Sequence, residues 1–250
     1  MFSSQILLFF LLGLLLGSFF NVVGLRLPRR QTFTNDRSRC PTCKQTLSWY
    51  ELIPVLSFLL QSGKCLHCKT RISSMYPIIE LITACLFAYS FVRIGIQLEL
   101  IIALLLISML MMILVTDLIY MIIPNNLLLF FFPILIILRL IAPLDPWWSA
   151  PLGMFIGFSL ILMIILISRG GMGAGDMKLF AVLGVALGID KILLTLFLAS
   201  VIGSIIGLLL LHLKWIKRKQ PLPFGPYILL ATLLAYFYGD QMINWYWHLF

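Results

Sequence analysis

Long stretches without a charged side chain are the feature that most constrains how this chain folds. Six of them contain at least 17 residues: 1–25, 100–116, 118–138, 146–168, 192–213 and 221–239. A helix needs roughly 20 apolar residues to cross a bilayer. Residues 75–92 carry only Glu80, and 179–189 form a shorter apolar run. The sequence therefore predicts about eight transmembrane helices.

The composition excludes both a water-soluble fold and a disordered chain. Hydrophobic residues make up 62% of the chain and charged residues 11%, against roughly 45–50% and about 25% in soluble proteins. We expect an all-α polytopic membrane protein with a first transmembrane helix at 1–25, an insert at 26–74 and a membrane core at 75–250. A signal peptide at 1–25 is disfavoured, because this segment has no basic n-region and no small-residue cleavage site.

Positive charge is concentrated in a few segments of the chain. There are 18 Lys and Arg against 9 Asp and Glu, a net charge of +9. Suppose that the insert at 26–74 is cytoplasmic and that eight spans cross the membrane in alternating directions. Then 15 of the 18 basic residues lie on the cytoplasmic side, including Arg169 and the 214–219 cluster. The opposite face then carries only Arg93, Arg139 and Lys191. We therefore expect both termini outside, and no nucleic-acid partner.

The cysteines predict a metal centre in the insert. Four of the five form two CxxC pairs, Cys40/Cys43 and Cys65/Cys68. Two such turns supply the four thiolates of a closed tetrahedral zinc site, which is structural and not catalytic. Disulfides or free thiols are the alternatives, and His67 is an alternative ligand. A reducing cytoplasmic location favours zinc over disulfides. Cys85 lies alone in an apolar span and is expected to pack there.

Two further patterns concern packing. Residues 49–56, between the cysteine pairs, are too apolar for a simple linker, and we expect them to dock on the membrane surface or against the helices. Four pairs of glycines spaced by four residues are expected to let helices approach closely: Gly13/Gly17, Gly153/Gly157, Gly184/Gly188 and Gly203/Gly207.

Two acidic residues lie where a bilayer disfavours charge. Asp117 directly follows the apolar stretch 100–116 and precedes the stretch 118–138, which Pro124 and Pro133 are expected to break. Asp176 follows three alternating glycines and precedes a run too short to cover more than about half of a ~30 Å core. Two close carboxylates can divide the roles of base and acid, as in aspartic peptidases. Cation or proton transport, or two unrelated helix-end acids, are equally compatible with this pattern.

Several motifs occur together in the order of one known family. They are GSFFNVVGLRLP at 17–28, WYELIP at 49–54 between the cysteine pairs, YP with Glu80, Asp117 with IP at 123–124, GAGDMK at 173–178 and PFGP at 223–226. Together they resemble the type IV prepilin peptidases, which are bifunctional leader peptidase/N-methyltransferases of the GxGD aspartyl type. The resemblance covers nearly the whole chain.

The resemblance implies a function and a set of site residues. Asp117 and Asp176 are then the catalytic pair, and the four insert cysteines bind zinc. The substrates are prepilins or pseudopilins, cut after a basic leader on the cytoplasmic side of a bacterial inner or cytoplasmic membrane. The new N-terminus is methylated from S-adenosylmethionine, for which no motif is readable. From the local charge, Glu80 is predicted to hold a substrate cation or amine, with a helix-end acid paired with Arg71 or Lys69 as the alternative, and Lys178 is also predicted to contact substrate. Asn125 departs from the family, where many members carry Asp.

Two alternatives to a prepilin peptidase remain to be weighed. A peptidase of the archaeal preflagellin type is disfavoured by the four-cysteine insert. Cation-coupled transport through the same acids is the alternative from another functional class.

Overall fold

The structure is a computed structural model that describes residues 2–31, 38–168, 171–217 and 222–248. Arg169 and residues 32–37 and 218–219, which carry part of the positive charge predicted on the cytoplasmic side, lie outside these ranges. The elements are helical: α1 (Phe2–Arg26), a 3₁₀ helix (Trp49–Leu52), α2 (Leu56–Leu60), α3 (Met75–Ile94), α4 (Leu98–Tyr120), α5 (Asn125–Ile141), α6 (Ser149–Ile167), α7 (Ala174–His212) and α8 (Gly225–Trp247).

Within the described ranges, five helices are long and apolar enough to cross a membrane, namely α1, α3, α4, α6 and α7. Helix α5 is apolar but has only 17 residues. The predicted class, an all-helical multi-pass membrane protein, is thereby confirmed. The count of eight spans is finer than this finding and stays a prediction.

The boundary between α4 and α5 differs from the prediction. Helix α4 continues through Asp117 to Tyr120, and the chain leaves it at Met121, which adopts φ +53°. Asp117 therefore lies inside the last turn of a helix. Pro124 immediately precedes α5, as expected for a helix break, but Pro133 lies within α5 without ending it. A proline is tolerated inside a membrane helix where neighbouring groups satisfy the backbone.

Helix α7 is broken at Gly188, whose φ of +78° is not helical. Residues 174–187 form a first part about 21 Å long. Two side chains satisfy the backbone groups that the break frees. The buried guanidinium of Arg139 donates to the carbonyl oxygen of Ala186, with Nε at 3.0 Å, and the Ile189 N–H donates to Ser149 Oγ at 3.1 Å. Arg139, predicted near the face opposite the insert, thus binds backbone inside the fold.

Glycines bring helices into contact, as the spacing predicts. In α1, Gly13 and Gly17 lie against the backbone of α3, and in α6, Gly153 and Gly157 lie against the backbone of α7. A Cβ on Gly153 would come within 2.7 Å of the Gly188 backbone. The last pair differs, because the nearest neighbours of Gly203 are the aromatic side chains of Tyr227 and Phe224, and Gly207 has Leu222 as its one such neighbour among the described residues.

The chain divides into two compact units, Met1–Val115 and Thr116–Phe250. In the first unit α1 packs against α3, and the cysteine-bearing insert connects them. In the second unit α7 packs against α5, α6 and α8. The cysteine pairs and Glu80 belong to the first unit, and both aspartates belong to the second.

Candidate active site and metal centre

The carboxylate of Asp117 is held by the start of another helix. Asp117 is 6% exposed, and its Oδ2 accepts a hydrogen bond of 2.7 Å from the backbone N–H of Gly225. Gly225 is the first residue of α8, and Pro226 follows it. The first N–H groups of a helix lack partners within that helix and attract negative charge. The sequence Phe-Gly-Pro thus provides a backbone donor for the carboxylate at the end of α4.

The carboxylate of Asp176 is held by its own helix. Asp176 lies in the first turn of α7, half-buried, and its Oδ2 accepts a hydrogen bond of 3.1 Å from the Gly173 N–H. This is the reciprocal half of a capping box. The glycines therefore do not prevent a helix here. Gly173 ends the loop in extended conformation, and the helix begins at Ala174.

The second unit brings the two motifs together. A Cβ on Gly175 would lie 3.0 Å from the Ile123 side chain, and Lys178 Nζ donates a hydrogen bond of 2.9 Å to Asn125 Oδ1. The charge of Asp117 acts electrostatically on Asp176. Two segments separated by about fifty residues thus present their carboxylates to one site.

This arrangement can perform general acid–base chemistry. Two carboxylates held close together do not both ionise readily, so a pair of this kind can keep one proton between them. An ionised carboxylate can then accept a proton from water while the protonated partner donates a hydrogen bond to a carbonyl oxygen. The departure at Asn125 gives Lys178 a neutral partner and leaves both aspartates in place.

The two cysteine turns have the same backbone structure. In the first, the Lys44 N–H donates to the Cys40 carbonyl oxygen at 2.9 Å, and the Cys40 N–H donates to the Gln45 carbonyl oxygen at 3.0 Å. The second turn, around Cys65, repeats these hydrogen bonds at 3.0 and 2.9 Å. An isolated antiparallel bridge flanks each turn. The repeated CxxC-Lys sequence therefore folds into two equivalent knuckles.

The four sulfur atoms fit a tetrahedral metal ion. All four Sγ atoms lie within 4.8 Å of one another, and those of Cys40 and Cys68 are 3.7 Å apart. Sulfurs bound to zinc at ~2.3 Å are separated by about 3.8 Å in a tetrahedron, whereas bonded sulfurs lie about 2.05 Å apart. All five cysteines fall within the described ranges, and each is a free thiol. His67 Nε2 lies 3.8 Å from Glu51 Oε1 instead.

Local hydrogen bonds favour the thiolate form that binds metals. The backbone N–H of Cys43 lowers the pKa of the Cys40 thiol to about 6. A hydrogen bond between Thr70 Oγ1 and Cys68 Sγ, at 2.9 Å, holds the pKa of Cys68 below its usual value. Thiolates are the ligands of zinc, so these contacts favour the binding form of Cys40 and Cys68. At Cys43 the hydrogen bond from the Gln45 backbone lowers the pKa, but burial and the neighbouring sulfurs outweigh it, and the pKa is instead raised to about 11. Cys85, predicted to pack in an apolar span, is exposed on α3.

The predicted substrate residues lie in different units. Lys178 is exposed near the aspartates. Glu80 is buried in the first unit, where its Oε2 accepts a hydrogen bond of 2.8 Å from the Val55 N–H. Its carboxylate also interacts with the Ser18 hydroxyl. Contact of Glu80 and Lys178 with substrate stays a prediction.

Two contacts of the candidate site residues could not be predicted from the sequence. The motif around Gly225 is visible in the sequence, but its donation to Asp117 is not. A glycine followed by proline is a typical helix start, and this signal predicts a helix N-terminus without indicating which acid it faces. The bond between Val55 and Glu80 has no sequence signal, because an N–H group exists at every residue except proline.

Comparisons with known proteins agree on one family. The Bacterial Peptidase A24 N-terminal domain matches residues 11–94, and the Type IV leader peptidase family matches residues 104–208. No solved structure matches the chain.

Relatives match over nearly their whole lengths. A prepilin leader peptidase/N-methyltransferase of Bacillus subtilis (strain 168) is 46% identical over 95% of this chain and 96% of the relative. Proteins of the same name from Pseudomonas aeruginosa PAO1 and Aeromonas salmonicida (strain A449) are 34% and 33% identical, over 94% and 96% of this chain and 91% and 92% of their own. Cation-coupled transport finds no support among these matches. The motifs, the paired aspartates and these matches together show that the chain belongs to the type IV leader peptidase family.

Proposed function

We propose that this protein is a membrane aspartyl endopeptidase that removes the basic leader of prepilins or pseudopilins, and that it also N-methylates the new N-terminus. The observation that carries the peptidase activity is the pairing of Asp117 and Asp176 within one compact unit, each held by a backbone N–H at a helix start. The names of the relatives support the substrate class and the second activity.

The chemistry follows from the shared proton of the pair. The ionised carboxylate takes a proton from water, whose oxygen attacks the scissile carbonyl carbon. The protonated carboxyl group donates to the carbonyl oxygen as negative charge develops there, and the leaving amine is then protonated. The helix N-terminus at Gly225 and the cap at Gly173 fix the two carboxylates before substrate arrives, so no reorganisation is required during the reaction.

The membrane topology forms part of the proposal. The break at Gly188 divides α7 into two parts, and with α5 and α8 this makes eight helical segments that correspond to the eight predicted spans. If all eight cross the membrane, the insert and both catalytic motifs lie on one side and both termini on the other, and we assign the side of the insert to the cytoplasm. The distribution of Lys and Arg supports this orientation.

The insert is proposed to bind one structural zinc ion through its four thiolates. When bound, the ion cross-links the two knuckles and leaves no open coordination position. Cys40, Cys43, Cys65 and Cys68 would hold it, and the peptidase chemistry above does not pass through it. Zinc thereby stabilises the cytoplasmic insert.

Methyl transfer requires S-adenosylmethionine, and one cavity of the second unit can be tested against it. This cavity, about 630 Å³, is lined by Lys214 and Lys217 among other residues. The two ammonium groups repel the sulfonium group of the cofactor, so this cavity does not fit it. We therefore assign no residue of the chain to cofactor binding.

The test is cleavage of a prepilin with a basic leader, co-expressed with the enzyme and analysed by mass spectrometry. We expect Asp117→Asn and Asp176→Asn each to abolish cleavage while the protein still inserts. Asp240→Asn is the matched control, because Asp240 forms an exposed ion pair with Lys191 at 2.8 Å in the same unit. Retained cleavage in either the Asp117→Asn or the Asp176→Asn variant would refute the catalytic assignment. The mass of the product reports methylation separately.

A further inference from the structure

The insert exposes a compact apolar surface. Leu56, Leu59 and Leu60 occupy positions i, i+3 and i+4 of α2 and therefore share one face of it. Their exposed fractions are 56%, 65% and 85%, and that of the nearby Trp49 is 77%. We name these four residues the apolar face. Contiguous apolar surface of this kind marks contact with a partner or a membrane.

The other side of α2 is already occupied within the insert. A Cβ on Gly63 would lie 3.0 Å from the ring of Phe58, so this ring packs against the turn that precedes the second knuckle. Helix α2 is thus oriented, with Phe58 toward the zinc-binding part and the leucines away from it. The apolar face is fixed in direction by the fold of the insert.

A hydrogen bond fixes the apolar face relative to the membrane-spanning helices. Val55, directly before α2, donates its N–H to Glu80 Oε2 at 2.8 Å. Glu80 lies five residues into α3, about 8 Å from its start. The α3 side chains around this level are apolar and exposed: Ile78, Leu81 and Ile82. Helix α2 therefore begins at the level where α3 presents a lipid-facing surface.

The charge of the insert complements anionic headgroups. Seven basic side chains are exposed among its described residues, 26–31 and 38–74: Arg29, Arg30, Arg39, Lys44, Lys64, Lys69 and Arg71. Over the same ranges the single acid is Glu51, which is buried. Basic side chains near a bilayer surface are attracted by anionic lipids.

We infer that the apolar face inserts into the boundary between headgroups and acyl chains of an anionic bilayer, and so anchors the insert on the membrane surface. A short amphipathic segment with tryptophan and leucine on one side and basic residues nearby is suited to this boundary. The anchor continues the lipid-facing surface of α3. It does not depend on the catalytic assignment, because it involves neither aspartate.

The test measures the environment of Trp49 by fluorescence. In a full-length variant with the other five tryptophans replaced by phenylalanine, the protein is reconstituted in nanodiscs of phosphatidylcholine with or without phosphatidylglycerol. Acyl chains brominated near the headgroup are the membrane quencher, and acrylamide is the aqueous quencher. We expect bromolipid to remove about half of the emission or more, acrylamide to act weakly, and quenching by bromolipid to increase with phosphatidylglycerol.

Other occupants of the apolar face give different results. Strong quenching by acrylamide alone means that Trp49 faces water, and protection from both quenchers means that protein covers it. Either result overturns the inference. Equal bromolipid quenching with and without phosphatidylglycerol overturns the role of anionic lipid.

Two matched substitutions separate anchoring from folding. In the single-tryptophan protein, Leu60→Asp places a charge on the apolar face, whereas Gln45→Asp places the same charge on the exposed first knuckle. We expect Leu60→Asp to reduce bromolipid quenching at least twofold and Gln45→Asp to leave it unchanged, with equal zinc content in both. Equal quenching in the two variants, with zinc retained, contradicts the inference.

Discussion

The backbone N–H of Gly225 lies 2.7 Å from Oδ2 of Asp117 and donates a hydrogen bond to it. This contact joins the start of α8 to the end of α4 across more than one hundred residues of sequence. It gives the PFGP motif a physical role in the second unit, because Gly225 has an N–H to donate and a Cβ at this position would lie 2.7 Å from the accepting oxygen.

Gly225→Ala should therefore impair catalysis more than folding. A Cβ at this position would lie 2.7 Å from Asp117 Oδ2 and 3.0 Å from its Cγ, so the carboxylate must move. A displacement of this kind costs about 100-fold in rate. The measurement is the initial rate of prepilin cleavage by purified enzyme in detergent.

Gly207→Ala is the control for this substitution. Among the described residues a Cβ there would meet only Leu222, at 3.8 Å, so the activity should stay within about threefold of the parent. Similar rates for the two variants would show that the position of the Asp117 carboxylate tolerates the added methyl group, contrary to the role given to Gly225.

Zinc content should depend on the knuckles and not on the fifth cysteine. Cys40→Ser removes a ligand from the sulfur cluster, whereas Cys85→Ser alters an exposed thiol on α3. We expect Cys85→Ser to retain one equivalent of zinc by elemental analysis and Cys40→Ser to lose most of it, because a hydroxyl is a poor zinc ligand. Equal zinc content in the two variants would contradict the assignment of the metal to this cluster.

The apolar helices and the candidate site acids could be predicted from the sequence because each depends on local pattern. Apolar length predicts a span, and charge in such a segment indicates function. Asp117 and Asp176 are candidates for this reason, and their catalytic role stays a prediction. The CxxC spacing likewise predicts the cysteine cluster, because both turns are formed by neighbouring residues.

Contacts between distant segments could not be predicted in the same way. The position of Asp117 within α4, and not after it, depends on where the helix ends, and Met121 has no sequence signal for φ +53°. The burial of Arg139 depends on the break at Gly188, which frees the carbonyl oxygen that its guanidinium binds. Such pairings follow from the tertiary structure, which a single sequence does not specify by pattern.

Glu80→Gln separates a charge role from a hydrogen-bonding role. Binding of a substrate cation requires a carboxylate, whereas the Val55 N–H requires only an oxygen acceptor, which glutamine retains. If Glu80 holds a cation, the KM for prepilin should rise about tenfold, equivalent to about 1.4 kcal/mol, with kcat and zinc content unchanged. An unchanged KM would mean that Glu80 acts only as the hydrogen-bond acceptor of the Val55 N–H.

Ser149→Ala should destabilise the break in α7. Ser149 Oγ accepts a hydrogen bond of 3.1 Å from the Ile189 N–H, which is part-buried beside Gly188. Removing the hydroxyl leaves this N–H without its acceptor. Ser159 lies on the same helix, but its hydroxyl donates only to the Ile156 carbonyl oxygen of its own turn, at 3.2 Å. We expect Ser149→Ala to lower the free energy of unfolding by about 1 kcal/mol, and Ser159→Ala by less than about 0.5 kcal/mol. Unfolding in mixed micelles with increasing sodium dodecyl sulfate, followed by circular dichroism, measures the difference. Equal losses would mean that the Ile189 N–H finds another acceptor, and that the serine is not what holds the two parts of α7 in place.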